Sequence, residues 1–524
     1  MRPLVLLVCL LGGCGDDSAP AGQPEGGIDA APQPDAAPAC GAGITPASGL
    51  VITESGAQQA AAAAGGYAWK GIPYAGPPVG DRRWRPPEAP ACAAGVRDAT
   101  QFGSICLQLD SNNQPTGGED CLTLNVWAPQ NASGLPVMFF IHGGGNAQGA
   151  GSLPVYDGTQ LAARGVVVVT INYRLAQMGF LAFDALLGES TQHVAGNYGS
   201  LDQIAALQWV QRNIAAFGGD PSKVMIFGES AGAVDVCTLV ASPLASGLFK
   251  SALMESGGCF QKTLNDALTT GRMFVMAAGC DTASDVAACM RALPAQTILQ
   301  TMAPVVDGLH TDAYQPTVDG YVLIQSPYNA LMAGTHNHVP FIVGSNADET
   351  ARMVANVTTD AQYLAALQAL YGTLATQIYQ HYPSANFATP RAALVRVTTD
   401  GRFVCPARLI ARAAAMGQHD HPVFRYFFTH GLDHGAVMPF GAFHGLELPF
   451  IFDTVSASGY VPSAAEVELV ADMGAAWSNF AKTADPGWPT YDAQLDRTEV
   501  LDEPPSMQNG IRNADCDFWE SLTL

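Results

Sequence analysis

Six nearly unbroken apolar runs constrain this chain more than any other feature. They are LPVMFFIH (135–142), GVVVVTINY (165–173), KVMIFGES (223–230), KSALMESG (250–257), HVPFIVGSN (338–346) and HPVFRYFFTH (421–430). Strands buried on both faces read this way, and such strands belong to mostly parallel sheets covered by helices. Between the second and third runs, DQIAALQWVQRNIAAF (202–217) spaces its apolar residues at three and four, as an amphipathic helix does. Strand and helix in alternation predict an open α/β sheet. Ligands of such sheets bind outside the carboxyl ends of the strands, so the chemistry is expected just after these runs.

The composition can fill that architecture. Of 524 residues, 48% are hydrophobic and only 13% charged, enough to bury a large core. The formal net charge is −22, and no Lys/Arg cluster offsets it. Such a surface repels phosphate backbones, so nucleic acid is not an expected partner.

The first residues read as an address. Arg2 precedes an apolar run from Pro3 to Leu11, far shorter than the ~20 residues that span a bilayer, so residues 1–13 are expected to be a signal peptide. Leu11-Gly12-Gly13-Cys14 resembles a bacterial lipobox, which implies lipidation of Cys14 after cleavage. Residues 14–39 read as a Pro/Ala-rich tether; from 18 onward they hold no Lys, Arg or aromatic residue and one branched aliphatic. So little apolar bulk cannot offset the entropy of ordering. The expected location is the bacterial cell envelope, periplasmic or at the surface, or the medium, with the lipid as the sole membrane contact. Residues 40–524 are expected to form the catalytic domain. Apart from Cys9 and Cys14 there are ten cysteines and no CxxC pair, which in an exported chain points to disulfides and not to a metal.

Two motifs carry chemistry. Gly228-Glu229-Ser230-Ala231-Gly232 lies between the strand-like KVMIF and the helix-like AGAVDVCTLVAS, the setting a nucleophile elbow requires. Small flanking residues let a strand turn sharply into a helix, whose N-terminus favours developing negative charge. His142-Gly143-Gly144-Gly145 directly follows LPVMFFI and matches a loop that donates backbone N–H groups to an oxyanion. Gly144, Gly145 and Ala231 are the expected donors. A general base and an orienting acid must follow in the order Ser…Asp/Glu…His. Asp348 and Glu349 follow one strand, and His430, His434 and His444 follow another. Spacing does not choose among these five.

GDRRWRPP (80–87), EDCLTLNVWAP (119–129), HGGG (142–145), NYRL (172–175), NYGSLDQIAALQWVQRNIAAFGGDP (197–221), GESAG (228–232), SNADET (345–350) and FHGLELPFIF (443–452) occur in this order. In them the chain resembles the type B carboxylesterase/cholinesterase family over almost all of residues 45–524. The resemblance implies the α/β-hydrolase fold, a large, mostly parallel central sheet with helices on both faces. It implies Ser230 as nucleophile, Glu349 as acid and His444 as base, with Glu229 a buried ordering carboxylate and Arg83–Glu119 a structural ion pair. It also suggests the disulfides Cys106–Cys121, Cys280–Cys289 and Cys405–Cys516. Cys40 and Cys92, both near the start of the fold, suit a fourth bridge, while Cys237 and Cys259 stay open between pairing and free thiols. Three positions depart from the family: Thr350 and Ala176 stand where Gly is usual, and Asn146 stands where a bulky aromatic commonly follows the glycines.

The expected reaction is hydrolysis of a small-molecule carboxylic ester through an acyl-enzyme, without cofactor or metal. His336/His338 and His419/His421 are read as loop residues beside prolines. Loss of catalysis in a binding domain of the same fold, or cleavage of amides, carbamates or thioesters, are the competing readings. The sequence leaves the oligomeric state open.

Overall fold

The computed structural model describes residues 40, 44, 47–303, 309 and 314–522. The signal segment, Cys14 and the tether lie outside these. Each of the six apolar runs is a strand of one 13-stranded sheet. Its strands are β1 (Leu50–Thr53), β2 (Gly56–Ala63), β3 (Gly66–Pro73), β4 (Val96–Ala99), β5 (Thr123–Pro129), β6 (Leu135–Ile141) and β7 (Val167–Ile171). They continue as β8 (Gly219–Glu229), β9 (Ser251–Glu255), β10 (Phe341–Asn346), β11 (Val423–Phe428), β12 (Arg497–Leu501) and β13 (Ser506–Asn509). The spatial order is β1-β2-β3-β5-β7-β6-β8-β9-β10-β11-β12-β13, with β4 beside β2. From β7 across to β12 every pair is parallel. Antiparallel neighbours close that block at β5 and β13.

Alternation along the strands splits the core in two. Phe139, Ile226 and Met254 face a core shared with Leu207 of α1 (Tyr198–Asn213), Val236 of α2 (Ala231–Ala241) and Ile410 of α3 (Cys405–Gly417). Phe140, Met225 and Leu253 face the other, with Met473, Trp477 and Phe480 of α4 (Ala464–Thr483). Helices therefore cover both faces, and the strands need no polar side. From β6 the chain crosses first to β7 on one side and then to β8 on the other, so strand order reverses there. Such a switch point opens a crevice at the carboxyl ends of the strands. Both motifs of the sequence emerge at it.

All ten cysteines of this unit pair: Cys40–Cys92, Cys106–Cys121, Cys237–Cys259, Cys280–Cys289 and Cys405–Cys516. The Cys237–Cys259 bridge, which the sequence left open, ties α2 to the loop after β9. Arg83 grips Glu119 through two hydrogen bonds of 2.7 and 2.8 Å. No helix among the described residues is long and apolar enough to cross a membrane.

Candidate active site

Ser230 stands between the last residue of β8 and the first of α2, at φ 58° and ψ −121°. A side chain in that region costs about 1–3 kcal/mol and persists only where its surroundings enforce it. Here the Ser230 N–H donates to the Glu255 carbonyl of β9 at 2.9 Å, and its own carbonyl accepts from Ala233 and Val234 at 3.0 and 3.1 Å. The flanking glycines are required by contact. A Cβ on Gly228 would lie 2.6 Å from the Gly232 backbone, and one on Gly232 would lie 2.0 Å from the Ile141 carbonyl oxygen.

The glycine loop approaches this elbow just as closely. A Cβ on Gly143 would meet the Glu229 carbonyl at 2.7 Å and the Ser230 Cβ at 2.9 Å. Gly144 and Gly145 take φ values of 107° and 64°, and their N–H groups find no acceptor among the described residues. Ala231 opens α2, so its N–H also lacks an intrahelical partner. Gly145, Ser230, Ala231 and His444 line one cavity.

Asn146, the departure from the family, anchors the loop. It is buried at φ 55° and lines the same cavity. Its backbone carbonyl accepts from Ala176 N–H at 2.6 Å, and its side-chain oxygen accepts from the Tyr173 hydroxyl at 3.0 Å. Its amide donates to Asp235 at 3.3 Å, and Gln203 donates to the other Asp235 oxygen at 2.6 Å. Burial pushes the Asp235 carboxyl up to about 7, against the hydrogen bonds from Gln203 and Asn146. Sequence reasoning missed Asp235, although a lone acid in the apolar AGAVDVCTLVA was the available signal. Of the other two departures, Thr350 is accommodated by its hydrogen bonds and Ala176 keeps a backbone strain that Gly would not carry. Ala176 adopts φ 47°, the left-handed region where Gly is at ease. Thr350 is buried, but its hydroxyl bonds to the Val395 carbonyl at 3.2 Å and to Thr398 at 2.6 Å.

The five candidate acids and bases separate cleanly. Glu349 follows β10 in a short 3-10 turn, and His444 lies in the loop after β11. His444 Nδ1 is 2.6 Å from one Glu349 oxygen, whose partner oxygen accepts from the Asn346 N–H at 2.7 Å. Asp348 instead accepts from the Ala442 N–H at 3.2 Å. His430 lies 3.2 Å from Glu466, and His434 stacks on Tyr460 at 4.4 Å. His430, Asp433 and Glu466 could present metal-ligand atoms within 4.8 Å of one another. The Glu466 oxygens, however, already accept from the Ser463 and Asp433 N–H groups and the Tyr460 hydroxyl, a helix cap and not an open donor set. His336 is held between Gln418 and the Ala330 carbonyl, and His338 and His421 flank Asp420 at 3.1 and 3.8 Å.

Electrostatics of the site centre on Glu229. Its Oε1 lies 3.1 Å from His444 Nε2 without the alignment of a hydrogen bond. Burial raises its pKa to about 7, although the His444 charge pulls the other way. Burial alone would make His444 less basic, but Glu229 and Glu349 outweigh it and lift the imidazole to about 9. Two further acids stand behind: Glu255 accepts from Trp477 at 2.6 Å, and Glu447 from Ser256 at 3.1 Å. Burial raises both, Glu447 to about 8. A base must be neutral to act, so the acid limb of kcat/KM is expected above the ~6.5 of free imidazole. Glu229→Gln removes the largest charge that holds the proton on His444, and the limb should move to lower pH. A pH–rate profile that is unmoved, or moved upward, would refute that assignment.

Residues 53–519 match the carboxylesterase family. Fumonisin B1 esterase of Sphingopyxis macrogoltabida is 38% identical over 80% of this chain and 81% of its own. Para-nitrobenzyl esterase of Bacillus subtilis is 36% identical over 88% of this chain and 96% of its own. A solved PNB esterase superposes with a TM-score of 0.79 at 35% identity, covering 90% of this chain and all of that one. The chain belongs to the carboxylesterase family. It has the α/β-hydrolase fold and is a serine-type carboxylic ester hydrolase.

Proposed function

We propose that this carboxylesterase acts on soluble short- to medium-chain or aryl esters, with Ser230 as nucleophile, His444 as base and Glu349 as orienting acid. The observation that carries the assignment is the 2.6 Å contact of His444 with Glu349 in a cavity shared with Ser230. His444 takes the Ser230 proton at Nε2 as Oγ bonds to the ester carbonyl carbon. The N–H groups of Gly144, Gly145 and Ala231 hold the oxyanion, one such donor being worth ~3–4 kcal/mol of barrier. Collapse breaks the bond to the alcohol, which leaves with the proton from His444. Water then repeats the two steps on the acyl-enzyme and frees the acid.

The substrate reading draws on the loop between Cys106 and Cys121. LQLDSNNQPTGGED holds no aromatic side chain to stack on a quaternary ammonium group. It is also tied down, since Gln108 exchanges hydrogen bonds of 2.9 and 2.8 Å with Gly149 at the end of the glycine loop. A short, polar, tethered loop does not suit the work of a mobile lipase lid. Para-nitrobenzyl in the name of one relative accords with an aromatic group on the substrate. The test is a hydrolysis panel of p-nitrophenyl esters of rising chain length, emulsified triglyceride, and choline esters beside neutral isosteres. Turnover should be highest on the soluble esters. Interfacial activation, or a large choline preference, would overturn the reading.

The N-terminal sequence supports a lipid anchor as part of the proposal. Cys14→Ser should abolish lipid labelling and release the protein from the membrane fraction. Unchanged detergent partitioning of that variant would sink the anchor.

A further inference from the structure

The oxyanion donors come from two separate pieces of backbone, and something must fix the gap between them. Gly144 and Gly145 belong to the loop after β6, whereas Ala231 opens α2. Gly144, Gly145 and Asn146 take positive φ in succession, at 107°, 64° and 55°. Glycine enters that region freely, and asparagine more readily than most other side chains. Backbone hydrogen bonds tie the run to its own neighbours and to the next strand's end. The Gly144 carbonyl accepts from Ala147 and Gln148, and the Asn146 carbonyl from Ala176. Among the described residues no backbone hydrogen bond joins the run to α2.

The Asn146 side chain makes that join. Asp235 stands four residues beyond Ala231, so it projects from the same face of α2 one turn on. It is fully buried and forms no part of the cavity wall. Its Oδ1 accepts from the Asn146 amide at 3.3 Å and its Oδ2 from Gln203 of α1 at 2.6 Å. Both oxygens therefore meet NH₂ groups, which turns the Asn146 NH₂ toward α2 and its oxygen toward Tyr173. The Tyr173 hydroxyl in turn lies 3.0 Å from that oxygen and 2.9 Å from the His142 carbonyl, so it spans both ends of the glycine loop. A carboxyl buried in the otherwise apolar AGAVDVCTLVA of α2 is unfavourable for stability alone, and its raised pKa records that cost. Holding the loop against the helix gives it a purpose.

We propose that Asp235 is a positioning residue of the oxyanion hole: through Asn146 it sets the distance from the Gly144 and Gly145 N–H groups to that of Ala231. The proposal rests on the esterase reading above and adds a residue to that same site.

Two ketones separate oxyanion binding from general binding. In an aryl trifluoromethyl ketone, Ser230 Oγ adds to the carbonyl carbon, the Ser230 proton passes to His444, and the ketone oxygen becomes the oxyanion. The matching methyl ketone occupies the cavity without a comparable adduct. In Asp235→Leu, which removes both acceptors, kcat on a p-nitrophenyl ester should fall about 10–100-fold with KM little changed. Affinity for the trifluoromethyl ketone should fall by a similar factor, and affinity for the methyl ketone should hold. Asp235→Asn should recover most of the loss. Its oxygen can still accept from Asn146, and its NH₂ can donate to Gln203 once that amide turns over, because Gln203 Oε1 has no partner among the described residues. Asn146→Gly should resemble Asp235→Leu, since glycine suits a φ of 55° but has no side chain to reach α2. The double variant should lose little more than either single one. Thermal melts check folding, and if Asp235→Leu does not fold, Asn146→Gly decides alone. Wild-type kcat in Asn146→Gly or in folded Asp235→Leu, losses that multiply in the double variant, or equal loss of both ketones would overturn the proposal. If the wild type turns over no ester and binds no trifluoromethyl ketone, the esterase reading itself fails.

Discussion

Ser230→Ala is expected to lower kcat by about 10⁴–10⁶-fold, His444→Ala to do nearly the same, and the double variant to lose little more. The reason is that in the proposed reaction one step uses both groups. Without Oγ there is nothing to acylate, and without the imidazole Oγ keeps its proton. The variant at 230 introduces no new contact, because alanine keeps the Cβ that the φ of 58° already accommodates. Folding should therefore be intact, and the loss should fall on kcat. The residual rate should remain above that in water, since Gly144, Gly145 and Ala231 still offer their N–H groups to the oxyanion. Steady-state kinetics on a p-nitrophenyl ester, with thermal melts as the control, decide the matter. Losses that multiply in the double variant would show that the two residues act in separate steps.

The parts of the fold legible in the sequence were those whose signal is local. A strand buried on both faces is a run of apolar residues whatever surrounds it, and all six such runs form strands of one sheet. The first strands were not legible, because GAQQAAAA of β2 has neither bulk nor alternation and is a strand through its pairing with β1, β3 and β4. The α1 helix starts at Tyr198 instead of 202, since Gly199 and Ser200 carry no apolar periodicity, and its last turn over Ile214–Phe217 tightens to a 3-10 helix. In the site, Ser230 and the glycine loop could be read because tight backbone turns impose residue types on their neighbours. Glu349 and His444 could not be chosen by spacing. They come from different strand ends, 95 residues apart, and their meeting is a property of strand order; the family resemblance pointed to them. Buried acids such as Asp235, Glu255 and Glu447 were passed over because each sits among apolar neighbours and no motif of the sequence singled it out. Their burial and raised pKa values emerge only when the helices and strands are stacked.

Glu349→Gln should cost about 10³–10⁴-fold in kcat, while Asp348→Asn should cost no more than a few-fold. The two acids are neighbours in sequence, so the comparison separates geometry from general acidity. Glu349 is fully buried, with one oxygen on His444 Nδ1 and the other on the Asn346 N–H. An amide at that place can keep one of these bonds but can present its NH₂ group to the ring. The imidazole then carries its proton on Nε2, the nitrogen that must accept from Ser230, and the imidazolium formed during reaction loses its counter-charge. Asp348 holds the His444 loop through the Ala442 N–H at 3.2 Å and has no contact with the ring. Asn retains a carbonyl oxygen for that bond, so the loop should stay in place. The discriminating measurement is kcat at a pH above the His444 titration, where protonation of the base no longer masks the effect. A damaged Asp348→Asn beside an active Glu349→Gln would transfer the acid's role to Asp348 and require the loop after β11 to sit differently against β10.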